Sequence, residues 1–421
     1  MVNTGRSDSA EKSSSAITGM GCVCAAGNNV GEVWASLKKG RVNCQHPPSW
    51  LFSTILDFPV FSGPRQSIQP AARDYLHSYL PEFQAELVSR TVLLALSAAV
   101  EGLGQAGLDI SYLRGKTVGI ALGTTVGCTF HNETYYSAWR KGLAPDLAPV
   151  RYFLDGNIAA ALHRILGTSG PSAVVTNACA SGTDAIGLAK DWIAGGQCDI
   201  AIAGGADELS RVAYNGFASL LLSDTRTCRP FSEDRKGLNL GEGAGVVILE
   251  SGESATGRSA EISGWVRGYG AASDAWHPTA PHPEGRGLKS AFSIAVRDAG
   301  IHADQIILVN AHGTGTKAND IAETAALAEI LPDPQQVAIV STKGITGHTL
   351  GAAGGIEAIL TLMALREGST PGTIGCAGVD PAFRVKPLTQ DQTTHLNGFI
   401  GASQSLAFGG GNAVLILEAA G

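Results

Sequence analysis

Nowhere in the 421 residues does an apolar run reach the roughly 18 needed to span a bilayer. Met1 to Ser15 is polar and serine-rich, without the hydrophobic centre of a secretory leader. Charge is scarce too: 16% of residues are charged, and the formal balance is −7. A net-acidic chain is a poor match for nucleic acid or an anionic membrane as principal partner. The eight cysteines (Cys22, Cys24, Cys44, Cys128, Cys179, Cys198, Cys228 and Cys376) form no Cys-x-x-Cys pair and show no zinc-site spacing with histidine. No bound metal is expected, and in a reducing compartment most of these thiols serve as small buried hydrophobes. The expectation is a cytoplasmic chain with a disordered tail over residues 1–15.

What the chain has in quantity is apolar material, at 44%, and glycine, at 54 residues, nearly twice the usual share. Tight turns and close backbone approaches follow from that glycine. Strand-like runs alternate with longer helix-compatible segments at 16–20, 117–122, 173–176, 200–203 and 245–250. A second series follows at 260–266, 306–310, 337–341, 398–402 and 413–418. This alternation is the rhythm of an α/β protein. The two series also echo each other, since Gly243–Glu250 is matched by Gly410–Glu418. An internal duplication is expected, with halves over 16–255 and 256–421 and a linker at 251–259.

Three glycine-punctuated corners carry chemistry. Cys179 lies in Asn177-Ala178-Cys179-Ala180-Ser181-Gly182, after the β-run Val174–Thr176 and before a helix-like stretch. Small neighbours cannot cover a side chain at such a corner, and a helix N-terminus favours a thiolate, so a nucleophile with lowered pKa is expected. His312 lies in Asn310-Ala311-His312-Gly313-Thr314-Gly315-Thr316, and Lys343 and His348 share Ser341–His348. Each follows a β-run, and the flanking glycines admit a ligand or another backbone. Reactive side chains at the carboxyl ends of strands are the usual placement in α/β sheets.

Together, in this order, these segments resemble the β-ketoacyl-acyl-carrier-protein synthases of the thiolase superfamily, over nearly the whole chain. The resemblance implies a thiolase-like duplicated fold, five-layered αβαβα. It implies an acyltransferase that loads an acyl group on Cys179 and condenses it with malonyl-acyl-carrier-protein, giving a 3-oxoacyl thioester two carbons longer. His312 and His348 match the donors that hold the thioester oxygen during decarboxylation. Lys343 matches a buried lysine, with Glu323 as its acidic partner. Phe408, in Leu406-Ala407-Phe408-Gly409-Gly410-Gly411-Asn412, matches the gate whose N–H joins the oxyanion hole. Thr279, Thr314 and Thr316 match positions along the phosphopantetheine arm, which arrives on the carrier. No bound cofactor is implied.

The family's glycine and threonine in that last loop are Ala407 and Gly411 here. Gly237-Leu238-Asn239-Leu240-Gly241-Glu242-Gly243 looks more like synthases of specialised pathways, such as aryl-polyene assembly, than like fatty-acid elongation enzymes. Arg140, Lys141, Arg151 and Arg226 are candidate carrier contacts, while residues 80–88 lack the family's basic run. Assembly as a homodimer, or as a heterodimer with a related subunit, is implied, each tunnel capped by the partner near residues 124–133. Val126 and Phe130 are then candidates for setting chain length. Two rivals remain: a non-catalytic partner subunit, which would lack the cysteine, and a thiolase, which would need a later cysteine than Cys376.

Overall fold

Strand β1 (Ser15–Cys24) is buried along all ten residues, because a helix covers one face and a second helical layer the other. The computed structural model describes residues 15–65, 89–125, 127, 130–147, 150 and 157–421. The first half adds β2 (Val118–Gly123), β3 (Ser172–Val175), β4 (Ile200–Asp207) and β5 (Gly243–Ser251), in the order β3-β2-β4-β5-β1. β6 (Gly264–Ser273), β7 (Leu308–Asn310) and β8 (Ala338–Val340) belong to the second half. A short hairpin of β9 (Ser369–Pro371) and β10 (Thr393–His395) precedes β11 (Ile400–Leu406) and β12 (Gly411–Ala419).

The second half runs β8-β7-β11-β12-β6, so third, second, fourth, fifth and first strands stand in the same order in both halves. Strand directions match as well. β2 is parallel to β3 and β4 as β7 is to β8 and β11, while β5 and β12 run antiparallel to both neighbours. The halves join where Ser15–Ile17 of β1 pairs with Gly264–Val266 of β6. Helices Ser181–Ala194 and Ala353–Glu367 form the middle layer, with Arg90–Gln105 outside one sheet and Arg286–Asp298 outside the other. This is the five-layered αβαβα architecture. Among the described residues no helix is long and apolar enough to cross a membrane.

A seam of glycine backbone joins the halves at the centre. A Cβ on Gly205 would lie 2.1 Å from the Gly351 carbonyl oxygen, and one on Gly245 would lie 2.3 Å from the Ile356 nitrogen. Helix and sheet therefore meet main chain to main chain, which only glycine permits.

Two expectations about the chain's course need correction. Residues 251–259 are not a free linker: Gly252–Gly257 is a helical turn capped by Ser251, and Arg258 pairs with buried Glu250. β6 starts at Gly264 and runs on to Ser273, past the expected end at 266. Gly268 and Gly270 hid the rest of that strand, because helix Arg286–Asp298 packs so closely there that a Cβ would meet carbonyl oxygens at 2.3 and 2.1 Å. Residues 1–14, Val126 and Arg151 lie outside the described residues, as does the side chain of Phe130.

Candidate active site

Cys179 stands in a single turn, Ala178–Ala180, between β3 and helix Ser181–Ala194. Ala178 is forced to φ 43, a left-handed conformation that costs an alanine strain. The Ser181 hydroxyl braces the turn, donating to the Ala178 carbonyl at 2.6 Å and accepting from the Asn177 N–H at 2.8 Å. Asn177 in turn donates to Asp184 at 2.7 Å. A Cβ on Gly411 would lie 2.5 Å from Oδ1 of Asn177, so the asparagine explains why a threonine does not fit at 411. Ala407 is extended, at φ −125, and needs no glycine.

His348 follows Gly347, whose φ is 65, and its Nε2 lies 3.1 Å from the Cys179 sulfur. The backbone of His348 is held by Asn239, whose carbonyl accepts the His348 N–H at 2.8 Å, and by Gly241, whose N–H reaches its carbonyl at 2.9 Å. Residues 239–241 thus carry a histidine of the site. His312 leaves the end of β7, its ring edge-on to His348 with centroids 5.1 Å apart. The Cys179, His312 and His348 donor atoms all lie within 4.8 Å of one another. Such a trio could also gather around a thiophilic cation, but the Lys343 charge behind it opposes one.

Lys343 is buried, donates to the His312 carbonyl at 2.6 Å, and lies 3.5 Å from His312 Nδ1. An ammonium only donates, so Nδ1 must accept and the ring proton sits on Nε2. The lysine's carboxylate partner is Glu357, not Glu323. Glu323 instead accepts from the backbone N–H groups of His312 (2.6 Å) and Gly313 (2.8 Å) and from the Gln404 amide (2.6 Å). It shapes the loop, while Glu357 neutralises the lysine. Glu357 was missed, although a carboxylate flanked by apolar residues well inside the helix Ala353–Glu367 is a recognisable signal for a buried ion partner.

Removing Glu357 strands a buried ammonium, so Glu357→Ala is expected to cost about 3–5 kcal/mol. The pair Glu357→Leu with Lys343→Met should recover most of that in denaturant melts while remaining inactive. An unchanged melt for Glu357→Ala would refute the pairing.

Thr279, Thr314 and Thr316 line one cavity with Cys179, both histidines and Phe408. Phe408 stacks on Phe217, with centroids 5.2 Å apart, and Phe217 meets His348 edge-on at 6.3 Å. The Phe408 N–H reaches the Cys179 sulfur. Arg140 and Lys141 are exposed at a helix end, and Arg226 pairs with Asp234 at 3.2 Å.

Electrostatics correct the expected thiolate. Burial pushes the Cys179 thiol up to about 12, and the Lys343 charge and the Phe408 N–H only partly oppose it. Burial, and then Lys343, hold both histidines well below the usual imidazole range. The resting site is a neutral thiol facing neutral imidazoles. A raised thiol pKa means that the thiolate fraction climbs about tenfold per pH unit through the neutral range. Alkylation of Cys179 by iodoacetamide, read by peptide mass, should therefore rise steadily from about pH 7 to about pH 9. A rate flat across that range would indicate a preformed thiolate and overturn this assignment.

This geometry has close counterparts. The family model "Beta-ketoacyl synthase, N-terminal domain" matches residues 13–255, and "Beta-ketoacyl synthase, C-terminal domain" matches 263–377. A 3-oxoacyl-[acyl-carrier-protein] synthase 2 from Synechocystis sp. is 34% identical over 97% of this chain and 98% of its own length. The ishigamide ketosynthase/chain length factor superposes with a TM-score of 0.87 at 32% identity, covering 97% of this chain and 99% of that one. A type II polyketide ketosynthase solved with its acyl-carrier protein gives 0.84 at 25% identity, over 97% and 99% of the two chains. Family models cover both halves of the chain and a relative matches almost its whole length, so the chain belongs to the β-ketoacyl synthase family.

Proposed function

We propose that this chain catalyses decarboxylative Claisen condensation between an acyl group on Cys179 and malonyl-acyl-carrier-protein. The observation that carries this reading is the cluster of Cys179 Sγ, His348 Nε2 and His312 at the inner end of a threonine-lined cavity. In the first half-reaction the Cys179 sulfur attacks the incoming thioester carbonyl and its proton passes to His348 Nε2, 3.1 Å away. The carrier's thiol leaves and takes that proton. In the second, the malonyl carboxylate departs as carbon dioxide while its thioester oxygen accepts hydrogen bonds from both imidazoles. The enolate carbon then attacks the acyl carbon and expels the Cys179 sulfur.

The two histidines divide this work unequally. Lys343 holds His312 with its proton on Nε2, a permanent donor. His348 Nδ1 is buried with no hydrogen-bond partner among the described residues, so nothing locks that ring's tautomer. It serves as base in one half-reaction and as donor in the other. Thr314 and Thr316, whose hydroxyls are 2.9 Å apart, suit the amides of a pantetheine arm. The test is intact-mass detection of an acyl adduct on Cys179, followed by a 3-oxoacyl-carrier product once malonyl-carrier is added. An adduct with no condensation would leave only acyl transfer.

Dimerisation has its own support. Among the described residues β3 is a sheet edge with half-buried apolar side chains, and Leu143, Leu147 and the ring pair Tyr136–Trp139, with centroids 6.0 Å apart, are exposed. Lone chains seldom leave such an edge and patch in water. A homodimer or a pair with a related subunit covers both, and light scattering of the isolated chain tells them apart.

A further inference from the structure

Three of the segments that line the cavity also carry large apolar side chains left in water. Leu221, Trp276 and Ile321 are 86%, 59% and 47% exposed. Each sits on a segment that also lines the cavity. Leu221 precedes the lining residue Leu222, Trp276 falls between Asp274 and Thr279, and Ile321 lies one helical turn beyond Ala318. Single exposed hydrophobes are ordinary, but three carried by separate segments that all line one cavity are the material of an interaction surface.

Leu221 carries a second sign. It stands just past the helix Arg211–Ser219 at φ 59, the position and conformation that helix ends usually give to glycine. Its N–H is fixed to the Ala218 carbonyl at 3.0 Å, and the next N–H to the Phe217 carbonyl at 3.1 Å. The backbone strain of a left-handed leucine and its exposure are thus both sustained with little packing in return.

The arginines on these segments are already matched. Arg226 pairs with Asp234 at 3.2 Å, Arg229 with Asp224 at 2.8 Å, and Arg286 with Glu284 at 3.0 Å. Lys317 adds one further charge, which Asp380 feels. Lys236, exposed two residues before the lining residue Leu238, is another. Among the described residues these segments therefore carry apolar side chains and mostly paired arginines, with two lysines and no dense basic patch.

We propose that Leu221, Trp276 and Ile321 form an apolar seat for the acyl carrier protein, which docks by burying them and not chiefly by salt bridges. This rests on the condensing function proposed above. The occupant follows from the cavity itself: the body resting on these segments is the one whose thioester-bearing arm enters the cavity to reach Cys179. Contact of this kind loses little to salt, whereas docking through exposed charge pairs is screened.

The experiment compares acylation of Cys179 by octanoyl-acyl-carrier-protein and by octanoyl-pantetheine, which has the arm but no protein. Leu221→Ser and Ile321→Ser should each raise KM for the loaded carrier on the order of tenfold, leaving the pantetheine reaction unchanged. For the native protein, kcat/KM with the loaded carrier should change less than about threefold between about 50 and about 500 mM salt. An unaltered carrier KM in both variants, or equal losses with both donors, overturns the seat. So does a tenfold or larger fall with salt. If the native protein accepts octanoyl from neither donor, the condensing reading itself falls, and the seat with it.

Discussion

Cys179→Ala is expected to form no acyl adduct and no 3-oxoacyl product, yet to melt as the native protein does. The sulfur sits beside the histidine ring and belongs to the apolar cluster of Leu238, Leu240 and Leu350, but alanine removes that one atom only, so the cavity left is small. Cys179→Gln should behave differently. Its amide carbonyl mimics the acyl-enzyme thioester while both imidazoles stay in place, so malonyl-carrier should be converted to acetyl-carrier without condensation. The pair of variants separates the two half-reactions in one protein. Condensation retained by the alanine variant would end the nucleophile assignment. Absence of decarboxylation in the glutamine variant would place the enolate-stabilising donors elsewhere.

The second large effect concerns the histidines. His312→Ala and His348→Ala are each expected to slow malonyl decarboxylation about a hundredfold or more, the scale of losing one oxyanion donor. They should part company in acylation. His348 is the base within reach of the thiol, at 3.1 Å, and a thiol held near 12 needs one. His348→Ala should therefore load Cys179 slowly at neutral pH, with recovery as the pH rises and hydroxide supplies the thiolate. His312→Ala should load at close to the native rate, because the Lys343-bound ring is a donor and not a base. Rapid-quench acylation across pH 6–9 checks both (roughly the range over which an ordinary imidazole changes charge). Equal acylation rates in the two variants would remove the division of labour.

Much of this was legible in the sequence because β-runs, glycine corners and single reactive residues are local signals. All ten expected strand segments fall on the ten strands of the large sheet, and the repeated strand order answers to the repeat at 243–250 and 410–418. Spatial pairing was not local. Glu323 and Glu357 are both carboxylates near the right segments, and only the packing of helix Ala353–Glu367 against the end of β7 decides which one meets Lys343. The thiol's pKa was misjudged for a related reason. A helix N-terminus is visible in sequence, whereas burial, the larger influence here, is a property of everything folded around it. The role of Asn239 was invisible for the same cause, since it reaches His348 through backbone hydrogen bonds from a distant loop.

The glycine seam has a further consequence for how such a chain can diversify. Gly182, Gly205, Gly351 and Gly355 bring the turn of Cys179 and the segment after His348 together through main chain alone. A Cβ added at Gly182, Gly205 or Gly355 would strike main chain at 2.6, 2.1 or 2.2 Å, so the spacing of sulfur and imidazole is insulated from drift. The vestibule is built from the opposite material: Phe217, Leu222, Leu238 and Leu406 are side chains that can be exchanged one at a time. Selection can therefore retune which acyl groups enter without reopening the question of how carbon joins carbon. A lineage with this construction can change its products quickly while its reaction stands still.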